Sequence, residues 1–270
     1  MDTAAPSSAP SVASPLASPL FVVVPCFNEA ERLDEAPLFT FLDDCPDASL
    51  LFVDDGSTDA TAARLTAIAA RRPGRIDVLS LTPNGGKAEA VRRGMLSALD
   101  RGARVVGYLD ADLSTPPGEL LRLRAAFARP GVEAVLGARV ALLGTDIERS
   151  TVRHYLGRVF ASVAAMILHA RVYDTQCGAK LFRASGALEV ALATPFISRW
   201  AFDVELLGRL LAGDATAPAL PLSAIVEVPL NTWRDVRGSK LGPLAMARTL
   251  AELGRIGVDL AGRRRQGGAS

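Results

Sequence analysis

The chain has 270 residues, of which 49% are hydrophobic and 22% charged, and a formal net charge of +1. That length suits one large domain or two small ones, and the composition is that of a chain able to build a sizeable core. The near-neutral balance excludes the overall basic field of a nucleic-acid binder. Cys26, Cys45 and Cys177 are odd in number and widely spaced. They form neither a disulfide framework nor a metal-ligand pattern, and they point to a reducing, cytoplasmic compartment.

Residues 1–19 are rich in Ala, Ser and Pro and contain no Lys or Arg, so they read as a disordered lead-in rather than a signal peptide. From Leu20 to about Ala138 short apolar runs alternate with helical patterns. The expected strands are Phe21–Val24, Leu50–Val53, Ile76–Leu81, Val105–Leu109 and Val132–Leu136. Helices are expected over Ala30–Leu42, Ala60–Arg71, Gly86–Leu99 and Gly118–Ala128, the first with an alternative start at Pro37. Strands that are apolar throughout are covered by helices on both faces, and such alternation implies a mostly parallel, doubly wound α/β sheet.

The second half is patterned differently. Arg149–Ala170 has apolar residues at spacings of three and four and reads as a long helix. It either covers the core or lies on a membrane surface with its arginines at anionic headgroups. A polar loop follows at Tyr173–Lys180, then a helix over Trp200–Leu211, a strand over Ile225–Pro229 and an amphipathic helix over Leu244–Ala261. Arg263–Ser270 reads as a basic and Gly-rich tail. No apolar run approaches the ~18 residues of a spanning helix.

Chemistry concentrates where strands end. Val105–Leu109 runs into Asp110-Ala111-Asp112, two carboxylates that either cap the strand before the Thr115-Pro116-Pro117 helix start or meet a cation, since a strand should not bury two such charges without one. Such a pair suits a hard divalent ion that takes its other ligands from substrate phosphates. Pro25-Cys26-Phe27-Asn28-Glu29 ends the first strand with an aromatic face and an acceptor. Asp54-Asp55-Gly56-Ser57 ends the second, where Asp55 can take the ring N–H of a pyrimidine. Asn84-Gly85-Gly86-Lys87 opens the helix after the third and brings backbone N–H groups and a cation toward an anion. In a parallel sheet these turns meet along one edge. Together they describe a site for a nucleoside diphosphate and a divalent ion, and the absence of Gly-X-Gly-X-X-Gly after the first strand favours a nucleotide-sugar transferase over a dehydrogenase.

These motifs, with Asp174-Thr175-Gln176-Cys177-Gly178, Lys180-Leu181-Phe182, Arg199 to Leu207 and Gly238-Ser239-Lys240-Leu241, resemble family 2 glycosyltransferases of the GT-A fold. The likeness is strongest to the dolichyl-phosphate β-glucosyltransferase branch and its bacterial polyprenyl-phosphate relatives. The resemblance implies a Rossmann-like, mostly parallel sheet flanked by helices in a single domain, 20–262, with a nucleotide-sugar-binding half (20–138) and an acceptor-binding half (139–262).

By position, the resemblance implies that Pro25, Phe27, Glu29, Asp54 and Asp55 line the nucleoside pocket. Asp110 and Asp112 would hold Mg²⁺ or Mn²⁺, with Asp112 the more direct ligand and Asp110 alternatively a contact to the donor's ribose or sugar, and Lys87 would lie near the donor phosphates. Asp203 falls at the position of a catalytic carboxylate. Gln176, Arg234, Arg237, Ser239 and Lys240 belong to the acceptor and phosphate side. The neighbouring Glu205 is expected on a solvated helix face.

The activity implied is inverting transfer of a hexose, from UDP-glucose or by a similar site GDP-mannose, to a polyprenyl phosphate at the cytoplasmic face of a membrane, with no nucleic-acid partner. The same chemistry on a soluble or glycan hydroxyl, and a non-catalytic nucleotide-sugar-binding protein, remain open at this point.

Overall fold

A computed structural model of the protein describes residues 19–148, 151–234 and 243–267. In chain order the elements are β1 (Leu20–Cys26), α1 (Ala36–Asp44), β2 (Ala48–Asp54), α2 (Thr61–Ala70), β3 (Ile76–Ser80), α3 (Lys87–Asp100), β4 (Val105–Leu109) and α4 (Glu119–Ala125). There follow β5 (Ala134–Ala138), β6 (Asp146–Glu148), α5 (Thr151–Leu168), β7 (Ala179–Arg183), α6 (Gly186–Ala193), α7 (Phe202–Ala212), β8 (Ile225–Pro229), β9 (Thr232–Arg234) and α8 (Pro243–Gly267).

Seven strands form one sheet in the order β3-β2-β1-β4-β7-β5-β8. Every neighbouring pair is parallel except those made by β7, which runs antiparallel to both β4 and β5. A small parallel pair, β6 with β9, stands apart from it.

Continuous apolar strands are what this architecture requires, because side chains alternate between faces. Val23, Leu51 and Val53 enter the core layer with Met95 of α3 and Phe202 of α7. Val22, Val24, Leu50 and Phe52 enter the opposite layer with Leu38, Phe41 and Leu65 of α1 and α2. The five strands expected in the first half are all present.

The structure departs from the sequence reading in several places, and strands β6, β7 and β9 were not expected. The first helix begins at Ala36, with Pro37 in its first turn, which agrees with the later of the two expected starts and not with Ala30. The preceding residues are drawn off by the next loop: Glu29 N donates to Thr61 Oγ1 at 2.8 Å, and Arg64 donates to the carbonyls of Ala30 and Leu33. Ala179 and Lys180, expected in a loop, begin β7. Helix α6 was not foreseen; its eight residues are capped by Ser185, whose hydroxyl accepts from Leu188 N. Finally, α8 continues to Gly267. Arg263 bonds Asp259 at 2.8 Å and Arg264 donates to the Ile167 carbonyl of α5 at 2.9 Å, so much of the expected tail is held in the helix.

Helix α5 packs against α7 and α8, burying Phe160, Ala164 and Leu168. That is the core-covering role of the two weighed for it. Among the described residues no helix is long and apolar enough to cross a membrane.

Candidate active site

The parallel strands β1, β2 and β4 end side by side, and the N-terminus of α3 joins them at the same edge. The turns that follow are tied together by their own polar groups. Asn28 adopts φ +54°, its N–H donates to Ser57 Oγ at 3.1 Å, and its Oδ1 accepts from Thr58 N at 2.9 Å. Asp54 is buried and accepts from Ser57 N at 3.1 Å. Beside this knot Pro25 is half-buried and Phe27 exposes its ring.

Glu29 Oε1 pairs with Arg32 at 2.7 Å, while its Oε2 is buried with no hydrogen-bond partner among the described residues. Burial pushes the Glu29 carboxyl above its usual range. Arg32 opposes that rise, and the negative charges of Asp112 and Asp59 add to it.

The structure gives Asp55 a task beside the base contact expected of it. Its two carboxylate oxygens accept from Gly85 N and Gly86 N, each at 2.8 Å, and its carbonyl accepts from Asn84 Nδ2 at 2.7 Å. Asp55 therefore clamps the loop that opens α3. Gly86 sits at φ +88°, a backbone conformation that residues with a side chain rarely adopt, with the Arg199 side chain packed against it.

Lys87, the first residue of α3, places Nζ 2.6 Å from Asp110 Oδ1. Burial alone would lower its pKa, but the charges of Asp110 and then Asp203 outweigh that and raise it, so it stays an ammonium. Asp110 N donates to Gly178 O at 3.0 Å, and a Cβ at Gly178 would overlap the Asp110 carboxylate. Two residues on, Asp112 is exposed and accepts Ser114 N at 3.0 Å. The two carboxylates and Lys87 are thus brought to one edge as the sequence implies.

Beneath them lies a buried group only partly visible in the sequence. Lys180, wholly buried in β7, donates to Asp203 Oδ1 at 2.6 Å and to the Cys177 carbonyl at 2.5 Å. Tyr108 of β4 also donates to Asp203 Oδ1, and Gln176 Nε2 reaches Asp203 Oδ2 at 3.3 Å. Burial first, and then the Asp203 charge, raises the Tyr108 phenol well above its ordinary value, so it remains a donor. The warning in the sequence was a lysine inside the apolar run of β7: a buried ammonium requires a counter-charge.

A second buttress escaped the sequence entirely. Arg139, just past β5, binds Asp174 through Nε at 2.6 Å and Nη2 at 2.7 Å and lies over the Trp233 ring. Burial alone would raise the Asp174 carboxyl, but the hydrogen bonds and charge of Arg139 hold it below the usual range. Glu227 of β8 accepts from Tyr173 N and Asp174 N, fixing the loop that carries Gln176.

Glu205 is not on a solvated face. It is fully buried, pairs with Arg209 at 2.6 Å and accepts from Ile197 N at 2.8 Å, so it shapes the turn ahead of α7. Arg234 is exposed on β9 and pairs with Asp146 at 3.0 Å. Arg237, Ser239 and Lys240 lie outside the described residues.

The glycosyl transferase family 2 model matches residues 21–188. The chain is 33% identical over 249 residues to a dolichyl-phosphate beta-glucosyltransferase of Dictyostelium discoideum, covering 86% of this chain and 72% of the relative. It is 27% identical to the polyprenol monophosphomannose synthase of Mycolicibacterium smegmatis, covering 88% and 86% of the two chains. Among solved structures, glucosyl-3-phosphoglycerate synthase of Mycobacterium tuberculosis, in complex with Mn²⁺, UDP-glucose and phosphoglyceric acid, superposes with a TM-score of 0.64 at 20% identity, over 91% of this chain and 82% of that one. The sheet order, the carboxylate pair at its edge and these similarities lead to one assignment: the chain belongs to glycosyl transferase family 2, has the GT-A fold and is a glycosyltransferase.

Proposed function

We propose that the protein transfers a hexose from a nucleoside diphosphate hexose, UDP-glucose in the first instance, to a polyprenyl phosphate at the cytoplasmic face of a membrane. The observation that carries this reading is the convergence of Asp110, Asp112 and Lys87 at the sheet edge. Relatives named for dolichyl-phosphate glucosyl transfer, at 32–34% identity in Dictyostelium, Drosophila, mouse and human, support the choice of acceptor. Three free, buried cysteines agree with a reducing compartment.

The residues at the edge fit a divalent metal. Asp112 is exposed and accepts one hydrogen bond, Asp110 stands two residues away, and no cluster of three or more ligating side chains occurs among the described residues. Such a donor set suits Mg²⁺ or Mn²⁺ completing its shell with water and diphosphate oxygens. When bound, the ion would neutralise charge growing on the leaving diphosphate. Pro25, Phe27, Glu29, Asp54 and Asp55 would line the nucleoside pocket, Asp55 also holding the glycine loop beside it. Lys87 would lie near the diphosphate. Gln176, Arg234, Arg237, Ser239 and Lys240 would serve the acceptor side.

The reaction is a single displacement: an acceptor phosphate oxygen bonds the anomeric carbon, the bond to the diphosphate oxygen breaks, and the configuration inverts. A phosphate monoester is largely ionised near neutral pH, its second pKa being about 6, so it needs no base to attack. Asp203 then serves by its position, held by Lys180 and Tyr108 under the sugar site; with a hydroxyl acceptor it would be the base.

The test is a donor panel of UDP-glucose and GDP-mannose assayed with polyprenyl phosphate and with hydroxyl acceptors, with Mg²⁺, Mn²⁺ or chelator. Metal-dependent formation of a glycosyl phospholipid from UDP-glucose is expected. Transfer only to hydroxyl acceptors would overturn the acceptor assignment.

A further inference from the structure

We propose that the turn at Leu142–Leu143 is a bilayer-inserting tip that seats the active site on the lipid surface, a reading that rests on the polyprenyl phosphate acceptor proposed above. Leu143 is fully exposed and Leu142 half exposed, the two adjacent at the end of a loop.

The loop is built, not loose. Leu142 N donates to Thr145 Oγ1 at 2.9 Å, that hydroxyl donates to Leu142 O at 2.9 Å, and Thr145 N donates to the same carbonyl at 3.1 Å. Gly144 at φ +86° closes the turn. Internal pairing of backbone polar groups is what lets a loop leave water for a lipid interface, where an unpaired group is costly.

Both ends of the loop are anchored to the site. On one side Arg139 grips Asp174, in the loop that carries Gln176. On the other side Asp146 N donates to Asn231 O at 2.7 Å, and β6 pairs with β9.

Next in sequence to the Asp174 anchor is a pairing that suits headgroups. Tyr173, adjacent in sequence to Asp174, is exposed, and the exposed Arg158 lies over its ring at 5.0 Å. An aromatic ring with a cation beside it is the pairing favoured at the level of anionic headgroups, below which apolar side chains enter the acyl region. A protein partner fits less well: a stable interface buries about 800 Å² on each side, far more than two leucines offer. Insertion into acyl chains needs no complementary shape, only apolar area.

The experiment uses the full chain with vesicles of phosphatidylglycerol and phosphatidylethanolamine. The wild type should sediment with them, and Leu142→Ser/Leu143→Ser should lower the partition coefficient by about a hundredfold. Leu222→Ser, at an exposed leucine elsewhere, should leave it unchanged. Because the three native cysteines are buried, Leu143→Cys can be labelled selectively with an environment-sensitive dye, whose emission should shift to the blue on vesicles. Unchanged partition of the double variant, or no emission shift, overturns the proposal. With a short water-soluble prenyl phosphate the double variant should match the wild-type rate, losing activity only on acceptor embedded in vesicles; equal losses on both overturn the proposal. If the wild type glycosylates neither acceptor, the acceptor reading fails. Leucine-dependent vesicle binding would then still stand as a membrane contact.

Discussion

Lys87 Nζ lies 2.6 Å from Asp110 Oδ1, so the cation expected to meet donor phosphate is held by one of the carboxylates expected to meet metal. On the proposed reading, metal and lysine would compete for Asp110. In Lys87→Met, Mn²⁺ should bind the nucleotide-free protein more tightly, by about 1 kcal/mol or about fivefold, the upper range for a partly exposed ion pair. The KM for the donor should rise at least about tenfold, as expected on losing a charged hydrogen bond. Manganese paramagnetic resonance measures the first quantity and initial rates the second. A parallel fall in both affinities would mean that the pair holds the metal site together rather than competing for it.

Gly178→Ala places a methyl group where the Asp110 carboxylate now sits. The carboxylate must move, so the metal concentration for half-maximal rate should rise well above the wild-type value. The melting temperature should move little by comparison, because Gly178 lies at a loop end outside β7. A metal titration set beside a thermal melt separates the two effects.

Asp203→Asn leaves the wholly buried Lys180 without its counter-charge, which should cost about 3–5 kcal/mol of stability. Adding Lys180→Met should recover much of that loss, since the uncompensated charge is then gone. Urea denaturation of both single variants and the double variant closes the cycle. Activity per folded molecule should persist with polyprenyl phosphate and fall steeply with a hydroxyl acceptor.

Acid should weaken the Arg139–Asp174 buttress. Asp174 has its folded pKa held below its ordinary value of 3.8, so between the folded and ordinary values the unfolded chain binds more protons. Stability therefore rises with pH in that window, is fully present above 3.8, and is lost as pH falls through the folded value. Asp174→Asn should be less stable than wild type at neutral pH, with the gap closing as pH is lowered below 3.8. Urea midpoints at a series of pH values follow it.

The strands of the first half, and the carboxylates and glycines in the turns after them, were legible in the chain because they are local facts. A short, β-branched apolar run such as Val22–Val24, ended by Pro25, reads as a strand covered on both faces, and side chains just past such strands share the carboxyl edge of a parallel sheet. Asp110, Asp112 and Lys87 meet for that reason. What only the tertiary structure decided depends on pairings far apart in sequence. Lys180 became a buried partner of Asp203 because β7 inserts antiparallel between β4 and β5. Asp55 was given to Gly85 and Gly86, and Arg139 to Asp174, by contacts spanning 30 or more residues. A carboxylate takes whichever donor the fold delivers: the sequence determined which charges were present, and the packing determined which were neutralised, which were buried and which remain at the edge to meet a ligand.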